Sequence, residues 1–172
     1  AKMIGNDNVV YNMPGGIIMK NGNGETSTGT GSFDDVVFNN YGRVIVSSGS
    51  FTINTPYSIA GNIGVHSGYY EIQSGATLAG NEEMHFTGDT IINDGTIALN
   101  NLIFDGLNRQ YLGGSIMGRI SNLYMYNANG LRMGSDQTIV NNVIFGLGII
   151  HVRPYTMIMD TNVTTATSSF SW

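Results

Sequence analysis

The chain has 172 residues, of which 11 % are charged and 41 % are hydrophobic, and its net charge is −5. Its seven basic residues stand singly, which excludes the basic patch that nucleic-acid binding requires, so we expect no nucleic-acid partner. No apolar run reaches the length of about 18 residues that a transmembrane helix needs. The absence of cysteine excludes disulfides and thiolate metal sites.

Residues 1–32 are predicted to form an N-terminal cap or extension. Within them, Asn21–Gly31 is a polar run rich in glycine, asparagine and threonine. Such a composition is typical of a loop or of a boundary between structural units. We therefore place the start of the regular fold at residue 33.

A short strand phrase of polar, apolar, variable and apolar residues then recurs along the chain. Its copies are Asp35–Asn39, Asn101–Asp105, Asn122–Tyr126 and Asn142–Gly146. The last three follow one another at intervals of 21 and 20 residues, and the gap of 66 residues between the first and the second fits three intervals of 22. A strand that repeats at a period of about 20–22 residues predicts stacked coils of β-strand, a β-solenoid.

The rest of the chain supports an all-β, single-domain fold. No window long enough for a helix shows the apolar spacing of one, whereas short alternating runs separated by glycine and asparagine turns are common. We predict a parallel β-helix (β-solenoid) over residues 33–160 with coils of about 20–22 residues, and a C-terminal strand or tail over 161–172. The predicted interior comprises Val36, Phe38, Val44, Val46, Ile72, Leu78, Ile97, Leu99, Leu102, Phe104, Leu123, Met125, Val143 and Phe145.

An antiparallel β-sandwich is the alternative fold. In a sandwich, each turn such as Asn93-Asp94-Gly95 would reverse the chain as a hairpin. In a solenoid, the same turns bend the chain part of the way round, and similar phrases stack in register. The regular recurrence of the phrase favours the solenoid.

Three segments in the second half share a repetitive pattern of Asn, Gly and aliphatic residues: Asn93–Leu102, Arg109–Gly114 and Ile120–Met133. Through them, residues 92–172 resemble the repetitive secreted proteins of the Bacteroidetes, with segments of the type N-N-G-T-I-x-L-x-N-L. The chain departs from that pattern in its nine methionines. The resemblance implies a secreted or cell-surface β-helical protein of adhesin or matrix type, but no particular activity.

The acidic pairs Asp34–Asp35 and Glu82–Glu83 are the first candidates for chemistry. Neighbouring residues on a strand point to opposite faces, so neither pair converges as a catalytic dyad would, and solvated turn residues are the favoured interpretation. The alternative is a calcium site built from Asp34 or Asp35, but no Asp-rich calcium loop supports it. We find no nucleophile elbow, phosphate loop or dinucleotide fingerprint, and we predict no catalytic residue, cofactor or metal.

His66 and His85 are separated by close to one predicted coil, so stacking would bring them near each other. A metal-binding pair is one interpretation. Without a third ligand, an exposed or laddered imidazole is the favoured one.

Tyr124 and Tyr126 are next-but-one neighbours on a predicted strand, so they share a face and are candidate glycan contacts. Packing on the outer face is the alternative role for both rings. Thr90, in Asp89-Thr90-Ile91, matches the Bacteroidetes O-glycosylation motif, and Asn162, in Asn162-Val163-Thr164, matches the N-glycosylation sequon.

The functional expectation rests on the ends of the predicted strand stack. A solenoid whose end strands lack a cap exposes unpaired backbone groups, and a head-to-tail contact that does not close forms a filament. We therefore expect a non-enzymatic, extracellular or cell-surface structural protein that partners itself in a filament or surface layer. The alternative is a glycan-binding adhesin module, or a fragment of a larger secreted adhesin, with surface glycans as partners.

Overall fold

A computed structural model describes residues 8–27, 36–54, 64–81, 83–115, 118–160 and 164–167. Within these ranges the chain forms strands and turns and contains no helix, and hence no helix that is long and apolar enough to cross a membrane. The strands are β1 (Asn8–Asn12), β2 (Ile17–Lys20), β3 (Glu25–Ser27), β4 (Val36–Asn40), β5 (Arg43–Val46), β6 (Ser50–Thr52), β7 (Tyr69–Ile72), β8 (Thr77–Ala79), β9 (Glu83–Phe86), β10 (Thr90–Asn93), β11 (Thr96–Ala98), β12 (Asn101–Phe104), β13 (Gln110–Gly113), β14 (Arg119–Tyr126), β15 (Leu131–Met133), β16 (Gln137–Leu147), β17 (Ile150–His151), β18 (Met157–Met159) and β19 (Thr164–Thr167).

The strands form three parallel stacks. The first is a seven-stranded sheet in the order β2-β5-β7-β10-β13-β15-β17, and the second runs β3-β6-β8-β11-β14-β16-β18. The third joins β1 to β4, passes through a bridge at His66, and continues through β9, β12, β14, β16 and β19. Every pairing is parallel, which confirms the predicted β-solenoid and excludes the antiparallel sandwich.

The third stack shows how long each coil is. One column of paired residues consists of Asn12, Asn40, His66, Phe86, Phe104, Met125, Phe145 and Thr167. The predicted coil of about 20–22 residues fits the interval from His66 to Phe86 and each of the three intervals from Phe104 to Thr167. The interval from Phe86 to Phe104 is slightly shorter, and the first two coils, from Asn12 to His66, are longer than predicted.

The predicted interior is buried, with one exception. Phe145 is only partly buried, although the other thirteen predicted core residues are buried. Phe145 lies on β16, and within the described ranges only β19 follows β16 in the third stack, so fewer described coils cover its ring than cover Phe104. The core is thus continuous along the stack and opens towards the C-terminal end.

Buried amides join successive coils where the chain turns. Asn12 Nδ2 donates to Asn40 Oδ1 at 2.7 Å, and Asn127 Nδ2 donates to Gln110 Oε1 at 2.9 Å. Each of these side chains is buried, so the bonds satisfy polar groups that would otherwise be costly to bury. Asparagine and glutamine thereby take the place of charges inside the stack.

The two predicted terminal regions contain strands that extend the stacks. Within 1–32, β1, β2 and β3 pair in parallel with β4, β5 and β6. In 161–172, β19 pairs with β16. The boundaries at residues 32 and 161 remain predictions.

Candidate functional site: the two ends of the solenoid

Tyr124 and Tyr126, the predicted glycan contacts, both face outwards from β14. Tyr124 is partly buried in a column between its paired residues Ile103 and Ile144. The ring of Tyr126 lies against Gly146 so closely that a Cβ at that glycine would collide with it. Both rings thus pack on the outer surface, and their role in glycan binding stays a prediction.

Of the two candidate glycosylation sites, Thr90 lies within the described residues and Asn162 does not. Thr90 begins β10, is partly buried and pairs with Tyr111 in the first stack. Asn162 lies outside the described residues. Glycosylation at either position stays a prediction.

The interpretation of His66 and His85 as a metal-binding pair is wrong. His66 pairs with Phe86, so His85 is offset by one residue and its side chain points to the opposite face. His66 is buried, and a hydrogen bond of 2.6 Å joins its Nδ1 to the hydroxyl oxygen of Tyr70. His85 lies outside, with its Nδ1 at 2.6 Å from Asp105 Oδ2.

Of the acidic pairs, Asp34, Asp35 and Glu82 lie outside the described residues. Glu83 is exposed on β9 and accepts a hydrogen bond of 2.6 Å from Asn101 Nδ2. Among the residues that the structure describes, no group of three or more histidine, cysteine, aspartate or glutamate side chains is placed to hold a metal ion.

The N-terminal end of the solenoid is formed by β1, β2 and β3, each of which pairs on one side only within the described ranges. Met19 on β2 is 56 % exposed, whereas its paired residue Ile45 on the next strand is 8 % exposed. Both side chains face outwards, but Ile45 has a strand on either side. In this column, the outward-facing side chain that has a coil on each side is buried, and the one at the end is not.

The C-terminal end is formed by β17, β18 and β19. Met159 on β18 pairs with Ile139, which is fully buried. Ile139 belongs to a buried column of the core, yet Met159, the next member of that column, is 44 % exposed. Among the described residues, burial in this column therefore decreases at its last member.

Exposed large apolar side chains gather at these two ends. The described residues include fourteen of them, of which five lie between residues 9 and 19 and five between residues 147 and 159. The four elsewhere are Tyr41, Val65, Leu107 and Tyr126. Apolar side chains concentrated on particular surfaces mark contact sites more often than isolated ones do.

Lys20, on β2, places a polar side chain at the N-terminal end. It stands in the column of Val46 and Ile72, so its side chain points into the solenoid. The side chain is buried, and its Nζ donates to the carbonyl oxygens of Gly22 and Ser48 at 2.5 and 3.2 Å. The charge is therefore already removed from water and is held by backbone acceptors of the same chain.

Comparison with known proteins gave no match among family models, curated proteins or solved structures. The resemblance of residues 92–172 to secreted Bacteroidetes proteins accordingly stays a prediction.

Proposed function

We propose that the protein is a non-enzymatic extracellular structural protein that assembles head to tail into a filament through the ends of its solenoid. The observation that carries the proposal is the concentration of exposed apolar side chains at both ends, together with strands that pair on one side only within the described ranges.

The parallel topology makes the two ends compatible. The last strands β17, β18 and β19 belong to the same three stacks, in the same order around the solenoid, as the first strands β2, β3 and β1. A second copy placed on the C-terminal end adds one more parallel strand to each stack. Because this contact joins two different surfaces, it repeats without closing and generates a filament.

The energetics favour covering both ends. Burying a methionine side chain fully contributes about 1.5–3 kcal/mol, and Met19 and Met159 are both about half exposed. Covering Lys20 adds little cost, since its ammonium group is already buried and hydrogen-bonded within its own chain.

Two further observations support the non-enzymatic and extracellular parts of the proposal. Glu71 lies on β7 in the first stack and Glu83 on β9 in the third, so these carboxylates do not converge on one face. The extracellular location is supported by the resemblance of residues 92–172 to secreted proteins.

The test uses one charged substitution at each end. Met159→Lys introduces a charge at the C-terminal end, and Met19→Lys introduces one at the N-terminal end. Leu107→Lys changes an exposed side chain far from both ends and serves as the control. Analytical ultracentrifugation over a concentration series, with electron micrographs of the same samples, should show filaments for the wild type and Leu107→Lys and monomers for each end variant.

Mixing the two end variants tests whether the contact is head to tail. Each variant keeps one intact end, so an equimolar mixture should form dimers and stop there. A wild type that stays monomeric at high concentration, or end variants that still form filaments, would overturn the proposal. Thermal unfolding followed by circular dichroism verifies that all variants are folded.

A further inference from the structure

A groove lies on the outer surface where the third stack turns into the first. Its volume is about 470 Å³, and it is open to solvent along its length. The side chains that shape it come from successive coils: Pro14, Ile17, Tyr41, Arg43, Asp89 and Thr90. The groove is separate from the outward face of β14 that carries Tyr124 and Tyr126.

The floor of the groove is bare backbone. Gly42 and Gly68 line it, and a Cβ at either position would collide with the carbonyl oxygen of the glycine one coil below, Gly16 or Gly42. Of the backbone groups on the floor, Gly68 N donates to Asn40 O and Gly42 O accepts from Tyr69 N, both at 2.8 Å. Recognition in the groove must therefore come from the side chains of its walls.

One wall holds a guanidinium group against an aromatic ring. The Arg43 guanidinium carbon lies 4.9 Å from the centre of the Tyr69 ring, and Nη2 is 3.5 Å from Glu71 Oε2. The Tyr69 hydroxyl donates to the same carboxylate oxygen at 3.3 Å. The Arg43 side chain is still half exposed and uses one of its five N–H donors on Glu71, so further donors are available.

The other walls offer complementary surfaces. Tyr41 is 37 % exposed and Ile17 is exposed beside it, which supplies an aromatic and an apolar surface. Asp89 is exposed and supplies carboxylate acceptors, and Thr90 adds a hydroxyl. The charge of Arg43 is balanced by Glu71, so the groove carries no net positive charge to attract an anion.

We propose that this groove binds a neutral saccharide, an activity that goes beyond filament formation. A sugar ring has an apolar C–H face that packs on an aromatic ring and hydroxyl groups that both donate and accept hydrogen bonds. Tyr41 provides the ring, Arg43 donates to sugar oxygens, and Asp89 accepts from sugar hydroxyls. An anionic ligand fits less well, because Asp89 would repel it.

The experiment measures binding of unmodified protein to maltohexaose, cellohexaose, mannan and, as an acidic probe, polygalacturonate, by isothermal titration calorimetry. Unmodified protein is needed because a glycan on Thr90 would occupy the groove. We expect binding to at least one neutral probe, a loss of at least tenfold in affinity for Tyr41→Ala and for the conservative Asp89→Asn, and no change for Leu107→Ala, which is exposed outside the groove. Affinity should change little between low and high salt.

Three results would overturn the inference: no binding to any neutral probe, salt-dependent binding to polygalacturonate alone, or a loss of binding in Tyr126→Ala but not in Tyr41→Ala. Tyr41 is not one of the apolar residues gathered at the two ends, so Tyr41→Ala should form filaments like the wild type. The groove and the N-terminal end share Ile17, but the two proposals are tested at different residues, so each can fail while the other holds.

Discussion

Phe86 and Phe104 lie one coil apart in the same column, and their rings meet edge to face with centroids 5.7 Å apart and planes at 79°. They end a continuous chain of ring contacts inside the solenoid, in which successive centroids are 5.6–6.3 Å apart. Its members are Phe51, Phe38, His66, Tyr70, Phe86 and Phe104. Packing between these rings stabilises the contact between neighbouring coils, in addition to the backbone hydrogen bonds between their strands.

Phe104→Ala should destabilise the fold by about 3–5 kcal/mol, since Phe104 is fully buried and its removal leaves a cavity beside Phe86. Leu107→Ala is the control and should change stability by less than about 0.5 kcal/mol, because Leu107 is 90 % exposed. Urea unfolding of both variants measures the difference. Equal midpoints for the two variants would show that the ring chain does not hold the coils together.

The part of the fold that the sequence predicted best is the part in which the period is regular. Leu102, Leu123 and Val143 pair in one column, as the recurring phrase implies, because the coils between them have the predicted length. The first copy is displaced: the column of Phe104 contains Asn40, not Phe38. The coils in that region vary in length, and strand residues alone do not fix the length of the connections between them.

The candidate sites were harder to predict, because the face to which a strand side chain points also depends on the exact length of each coil. His85 falls one residue short of a full coil from His66, and a shift of one residue turns a strand side chain to the other face. The sequence predicted that the ends of the stack carry the function, but not which residues form the N-terminal end, because residues 1–32 were assigned to a cap or extension. The alternating apolar residues from Val9 to Met19 were the available signal, and strand pairing was needed to show that they form an edge.

Gly68→Ala should be strongly destabilising, whereas Gly24→Ala should be neutral. A Cβ at Gly68 would collide with the carbonyl oxygen of Gly42, which is backbone and cannot move without separating two coils. Gly24 has nothing within 4 Å of the position of its Cβ. Thermal unfolding should give a melting temperature for Gly68→Ala roughly 10 °C or more below that of Gly24→Ala, since about 1 kcal/mol shifts a domain of this size by roughly 2–4 °C. Similar melting temperatures would mean that the coils tolerate separation at this turn.

Gln110→Leu should cost at least about 3 kcal/mol of stability, because it breaks a buried set of hydrogen bonds. The Gln110 amide is buried and fully used: Nε2 donates to Phe86 O and Gly88 O at 2.7 and 2.8 Å, and Oε1 accepts from Gly106 N at 3.1 Å and from Asn127 Nδ2. The apolar replacement removes all four hydrogen bonds, at about 1 kcal/mol each, and leaves Gly106 N without its partner, whereas Phe86 O and Asn127 Nδ2 keep Asp105 N and Asn108 O. Urea unfolding of the variant and the wild type measures the loss.

Asn122→Ala is the surface counterpart of this change. Asn122 Nδ2 donates to Asn100 O and its Oδ1 accepts from Asn142 Nδ2, both at 2.6 Å, but these bonds lie at or near the surface, where water can replace them. The expected loss is about 0.5–1.5 kcal/mol in the same urea experiment. A loss for Asn122→Ala as large as that for Gln110→Leu would contradict the view that buried amides carry most of the polar stabilisation.

Tyr69 should make stability fall at high pH. Burial raises the pKa of Tyr69 above its ordinary value of 10.0, and the charge and hydrogen bond of Glu71 raise it further, whereas Arg43 opposes them. The folded protein therefore holds this proton at pH values where the unfolded chain has lost it, so stability is full below pH 10.0 and declines as pH rises above it. Tyr69→Phe, with no proton to lose, should show a smaller decline in urea unfolding above pH 10.0.

Glu71→Gln should lower the pKa of Tyr69 in an absorbance titration of tyrosinate, because it removes the neighbouring negative charge. An unchanged titration in Glu71→Gln would show that burial alone sets the shift.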